Sequence, residues 1–102
     1  MNITVQELKK KMDNGDDFVL IDVREPYEHQ EFNIGGDLIP MGDLPNKIDD
    51  LLEHQNDEVI LYCRSGNRSG IAQQVFLQKG FKNVLNLTGG MLAWADTFGT
   101  GK

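Results

Sequence analysis

The one cysteine of this chain, Cys63, is followed directly by Arg64, Ser65, Gly66, Asn67 and Arg68. A thiol flanked by guanidinium groups, on small residues that turn a chain tightly, is built like an activated nucleophile. Its neighbours sharpen that reading. Glu58 to Tyr62 are mostly β-branched, aliphatic or aromatic and predict a buried strand. Beyond the loop, Ser69 is placed to cap a helix whose apolar residues, Ile71, Ala72, Val75 and Phe76, recur at helical spacing. The first amides of a helix lack internal acceptors, and the helix dipole makes that end positive. A short loop wrapped over a helix start turns further amides inward and forms an anion nest. Gly66 permits the backbone conformation such a wrap needs. A thiolate held there ionises below the ~8.5 of a free cysteine, and the same field attracts an anionic substrate. A lone cysteine is commonly just a small core hydrophobe; the polar, arginine-flanked loop argues for chemistry here, provided the sulfur faces the amides at a concave mouth.

The elements that must position this loop follow in chain order. Thr4-Val5-Gln6-Glu7 fits a capping box, with Val5, Leu8 and Met12 on one face of a first helix that Gly15 stops. Phe18 to Ile21 form an apolar run read as a central parallel strand, left at its carboxyl end by Asp22-Val23-Arg24-Glu25-Pro26. Pro26 suits the first turn of a short helix reaching about Glu31. Asn33 to Gly36 are a turn, and Leu38-Ile39-Pro40 a short strand. Leu44-Pro45 opens a helix with Ile48, Leu51 and Leu52 inward and Asp49, Asp50 and Glu53 outward. After the central strand, loop and helix, Gly80 ends that helix, Val84 to Leu87 form a strand, and Gly89-Gly90 introduces a last helix carrying Met91, Leu92, Trp94 and Ala95. The tail from Thr97 is expected to fray. Alternation of strands and helices on short connections predicts an α/β fold with a mostly parallel sheet, as one domain over residues 1–102. Sites in such folds lie at the carboxyl ends of strands, which brings Asp22, Arg24 and Cys63 toward one edge.

Composition narrows the function classes. The chain has 102 residues and a net charge of −6, against the basic face of a nucleic-acid binder. Lys9-Lys10-Lys11, the one lysine run, is a solvated helix face. No segment approaches the length of an apolar membrane span, and the first residues hold no signal core. One cysteine forms no internal disulfide, so a cytoplasmic location is the default expectation.

Taken together, IDVREPYEH, IPM after a glycine turn, LYCRSGNRS and LTGGMLAW resemble, in order and spacing, the rhodanese family of sulfurtransferases over nearly the whole chain. The resemblance implies a five-stranded parallel sheet flanked by helices on both faces and a catalytic cysteine that carries sulfur as a persulfide. Matched residue by residue, Cys63 is the nucleophile, and Arg64, Ser65, Gly66, Asn67, Arg68 and Ser69 make the substrate-binding loop. Asp22 and Arg24 match an aspartate–arginine motif read as support for the loop region, and Trp94 a packing residue of the last helix. The implied donor is a small sulfur anion such as thiosulfate, or a persulfide. The implied acceptor is a thiol, cyanide or a protein cysteine. No metal or organic cofactor is called for. The chain departs from the family pattern at Phe32-Asn33-Ile34, where many relatives read glycine-histidine-isoleucine, and at Asp37, where an alanine is usual.

Other readings compete. Cysteine phosphatases and arsenate reductases also set cysteine and arginine around a loop, usually with five residues between them; here four separate Cys63 from Arg68, a smaller cradle. A non-catalytic rhodanese-like binding or sulfur-relay module is the alternative from another class. His29 reads as a solvent-facing helix residue and His54 as a cation at a helix end. Asp49, Asp50 and Glu53 read as a solvated surface rather than a metal site.

Overall fold

In the computed structural model, which describes residues 1–100, all strand pairings are parallel. The strands are β1 (Asn2–Ile3), β2 (Val19–Asp22), β3 (Asp37–Leu38), β4 (Glu58–Tyr62) and β5 (Asn83–Leu87), in the order β1-β5-β4-β2-β3. The helices are α1 (Val5–Asp13), α2 (Pro26–Glu31), α3 (Leu44–Lys47), α4 (Asn67–Gln78) and α5 (Gly90–Phe98). The five-stranded α/β architecture is the expected one. Period-two alternation along the central strands divides the core between the two sheet faces. Ile21, Val59 and Leu61 point to one cluster with Leu44, Ile48, Ala72 and Phe76. Leu20, Ile60 and Tyr62 point to the other with Leu8, Met91 and Trp94.

Register sets the site. Asp22 pairs with Tyr62, and Leu61 with Asn86, so Asp22, Cys63 and the end of β5 meet at one edge. At the start of α1, Thr4 and Glu7 form the expected reciprocal capping box at 3.1 and 2.9 Å.

Several expected core residues are not in the core. The segment after α3, Ile48–His54, winds as a 3₁₀ helix. Three residues per turn keep Ile48 and Leu51 in line and rotate Leu52 outward, where it is 41% exposed. On α4 the inward stripe is Ser69, Ala72, Gln73 and Phe76. Ile71 falls off that stripe and is exposed, as are Met12 and Leu92 on their own helices. Gln73 is admitted because its amide donates to the carbonyls of Met1 and Val84 at 2.6 and 2.9 Å. The tail is helical further than expected: Thr97 and Phe98 belong to α5, and Phe98 stacks on Trp94 with ring centroids 4.8 Å apart. Gly101 and Lys102 lie outside the described residues. Among the described residues, no helix is long and apolar enough to cross a membrane.

Candidate active site

Cys63 is the first residue past β4, and the chain turns through Arg64 and Ser65 into Gly66, whose φ of +102° lies in the left-handed region. A side chain at Gly66 would find ordinary contact distances, so it is the conformation that calls for glycine here. The turn brings the Gly66 amide to 3.0 Å and the Ser69 hydroxyl to 3.3 Å from Cys63 Sγ. Amides of Ser69, Gly66 and Ser65 all favour the anionic sulfur. Burial is the largest single influence and pushes the thiol up; the hydroxyl and amides together outweigh it, and the ionisation falls below that of an ordinary thiol.

The sulfur lies against the Gly66 amide, and little of the residue reaches solvent. Cys63 is 1% exposed and packs in the same cluster as Val23 and Ala72. Surface cavities of about 290 and 210 Å³ lie elsewhere, one lined by Asp37 to Pro40 with Asp43 and Lys47, the other by Asp17 to Val19 with His54, Asp57 and Glu58.

Ser69 does not cap α4. Gly66 occupies that position without a side-chain acceptor, and Ser69, three residues on, is buried. Helical side chains lean toward the amino terminus, which turns this hydroxyl back onto the sulfur. Its single proton has a second acceptor in Asn86 Oδ1 at 2.5 Å, so the sulfur and Asn86 compete for it, while Asn86 Nδ2 donates to the Gly66 carbonyl at 3.1 Å. Asn86 therefore ties β5 to both the loop and Ser69. Replacing Ser69 by alanine removes one donor to the sulfur. The pH midpoint of Cys63 alkylation by iodoacetamide is expected to rise, and the rate at pH 7 to fall about fivefold, the factor ~1 kcal/mol represents. An unchanged profile would remove Ser69 from the thiolate cradle.

The arginines divide. Arg68 gives two of its three guanidinium nitrogens, Nη1 and Nη2, to Glu28 of α2, at 2.7 and 2.9 Å. That pairing is the main cause holding the Glu28 carboxyl down at about 2; burial opposes it, and the Glu25 amide adds to it. Arg64 is exposed, and its carbonyl accepts from the Leu92 amide at 2.9 Å. Ser65 and Asn67 are exposed as well.

Asp22 and Arg24 do form a buried pair. The carboxylate accepts from the Arg24 backbone amide and from Nε and Nη2, at 2.8 to 3.2 Å. Its hydrogen bonds run to the segment after α2. Arg24 Nη2 reaches the Phe32 carbonyl at 2.7 Å, and its guanidinium lies 5.6 Å from the Tyr62 ring centroid, so the pair secures the crossover from α2 to β3. His29 belongs to this network too: Nδ1 is 2.8 Å from Asp22 Oδ2, and the side chain is largely covered instead of facing solvent. His54, at the end of its 3₁₀ segment, pairs with Asp57 at 2.8 Å.

Three contributors were not singled out by sequence reasoning. Asn86 carried a signal, as a polar residue inside the apolar strand VLNL. Glu28 is an acid in the first turn of α2, and parallel topology places that turn at the same edge as the start of α4. The third is the start of α5. Met91 and Leu92 donate their amides to the carbonyls of Cys63 and Arg64, each at 2.9 Å, clamping the loop from the other side.

Comparison with known proteins agrees with this fold. A family model described as rhodanese-like domain matches residues 4–97. A protein of Allochromatium vinosum named sulfurtransferase is 35% identical over 91% of this chain and 86% of its own length. A Bacillus subtilis protein provisionally named sulfur carrier protein YrkF is 34% identical over 90% of this chain, which spans only 49% of that relative. Among solved structures, a rhodanese-like domain protein from Staphylococcus aureus superposes with a TM-score of 0.76 at 32% identity, covering 92% of this chain and 91% of the other.

Proposed function

The chain belongs to the rhodanese-like domain family, and from that premise we propose that residues 1–102 act as one sulfurtransferase unit moving a sulfane sulfur through a persulfide on Cys63. The observation that carries the reading is the pair of donors at Sγ, the Gly66 amide at 3.0 Å and the Ser69 hydroxyl at 3.3 Å. They favour the thiolate before reaction; after it the negative charge has moved one S–S bond outward, to the outer sulfur of Cys63–S–S⁻.

In the loading step the Cys63 thiolate attacks the outer sulfur of a donor, thiosulfate or the persulfide of a thiol. A new S–S bond forms as the donor's own bond to that sulfur breaks, and sulfite or a thiolate departs with the electron pair. In the unloading step cyanide, a thiol or a protein cysteine attacks the outer sulfur of Cys63–S–S⁻ and restores the thiolate. Cys63 is the one cysteine in the sequence, so the acceptor comes from outside these residues. Because Cys63 is covered, both partners require the exposed loop residues Arg64, Ser65 and Asn67 to part locally.

A relay between proteins is the same chemistry with a protein acceptor, and the provisional name of the Bacillus relative is consistent with it. Phosphoryl transfer is disfavoured, since the arginine that would grip a phosphate is spent on Glu28. The test is mass spectrometry after incubation with thiosulfate or cysteine persulfide. Addition of one sulfur atom at Cys63, reversed by cyanide, is the expected result; an unmodified Cys63 with both donors refutes the proposal.

A further inference from the structure

Arg68 stands at the end of the nucleophile's loop, where a guanidinium would be expected to meet the donor. Its charge reaches the sulfur, since an ionised Cys63 is among the groups that hold Arg68 protonated. Yet the ion pair with Glu28 uses two of its nitrogens on two carboxylate oxygens, in the bidentate form that fixes both partners. Glu28 is itself held: its side chain is 13% exposed, and Oε1 also accepts the Glu25 amide at 3.0 Å. The pair is a built feature that cancels one loop cation at the site's lip.

We infer that Glu28 biases the choice of donor, disfavouring dianionic donors such as thiosulfate relative to the persulfide of a thiol. The inference rests on the sulfur-transfer reading and concerns which donor that site accepts. Thiosulfate brings two negative charges to a thiolate. Against them the described residues set the amide nest, the exposed Arg64, and an Arg68 already neutralised. A thiol persulfide such as cysteine persulfide brings one net negative charge to the thiolate instead of two. The loading step is unchanged in atoms and charge: the Cys63 thiolate takes the outer sulfur and the donor's thiolate leaves.

Glu28→Gln separates the possibilities. Glutamine keeps an acceptor for the Glu25 amide, so the start of α2 is retained. The probes are thiosulfate and cysteine persulfide, and the readout is the second-order rate constant for sulfur loading of Cys63. With thiosulfate the constant is expected to rise at least tenfold, about 1.4 kcal/mol. With cysteine persulfide it should change less than threefold. A thiosulfate constant that stays level or falls overturns the inference, as does an equal rise with both donors. Calorimetry in a Cys63→Ser background gives an arm independent of turnover: Glu28→Gln is expected to tighten thiosulfate binding about tenfold, and unchanged or weaker binding overturns the inference. Absence of loading from either donor in the wild type would refute sulfur transfer itself, while the calorimetric arm still decides the role of Glu28.

Discussion

Replacing Cys63 by serine is expected to reduce sulfur transfer by at least about 10⁴-fold while the chain still folds. No other side chain at the site offers a nucleophile of comparable strength, and a hydroxyl in the same nest stays protonated at neutral pH. The structural consequences separate serine from alanine. Serine leaves an acceptor for the Gly66 amide and the Ser69 hydroxyl, whereas alanine leaves those donors buried without one. Alanine is therefore expected to be the less stable variant by about 1–3 kcal/mol. The pH dependence has a definite sign. The folded-state ionisation of Cys63 is lowered, so the thiolate's contribution to stability is fully present above the ionisation of an ordinary thiol. It is lost as the pH falls through the lowered folded value. Denaturant midpoints of wild type and Cys63→Ser should thus differ most in alkali and converge toward acid. A constant gap across that range would mean that the amides do not favour the anion. Sulfur loading retained by the serine variant would move the reaction away from Cys63 altogether.

What the sequence made legible, and what it hid, follows from the range of the interactions. Glu58–Tyr62 was read at its true limits because a strand buried on both faces has one signature, a short apolar run. The cysteine's place at the strand end, and the turn at Gly66, follow from neighbours in the chain. The partners that tune the site are distant. Arg68 meets Glu28 across 40 positions, and Ser69 meets Asn86 across 17. Nothing in the local pattern of α4 announces that Ser69 and Gln73 turn inward while Ile71 turns out, because the acceptors that make those polar residues tolerable lie on β5 and at the chain's start. Leu52 failed for another reason: periodicity gives an apolar face only once the winding is known, and 3₁₀ and α windings place it differently. His29 was misjudged because its partner, Asp22, was already assigned to Arg24, and one carboxylate serves both.

These distant ties imply that the loop is a shape imposed from both sides, by α2 through Glu28 and by β5 and α5 through Asn86, Met91 and Leu92. Local sequence around Cys63 supplies the reactive atom and the turn. The neighbouring elements decide how closely the amides surround it and how much positive charge is left for a donor. Relatives could therefore keep the loop residues and differ in donor through a change at position 28 alone.

The clamp from α5 makes Gly90→Ala the most damaging change predicted outside the nucleophile. Gly90 has a φ of +53°, which L side chains rarely adopt, and a Cβ there would lie 2.7 Å from the Arg64 carbonyl carbon and oxygen and closer still to the Cys63 carbonyl oxygen. Both obstacles are backbone, so neither can move aside as a side chain would. The left-handed conformation costs about 1–2 kcal/mol, and relieving the overlap parts the Met91 and Leu92 amides from the loop carbonyls they bind. A loss of roughly 3–5 kcal/mol in stability is expected. The fraction that remains folded should load sulfur at least about 100-fold more slowly, since a displacement near 1 Å at a reacting group has that effect. Gly36→Ala separates the two losses. Its φ is +83° and its Cβ would overlap the Leu20 carbonyl group as severely, but on β2, away from the loop. It should lose comparable stability while its folded fraction loads Cys63 within threefold of the wild-type rate. Gly99→Ala, with φ +78°, ψ −175° and open space around it, tests a positive-φ cost without overlap and is expected to lose about 1–3 kcal/mol. If Gly90→Ala and Gly36→Ala lose activity strictly in proportion to their unfolded fractions, the start of α5 contributes to the fold and not to the alignment of Cys63.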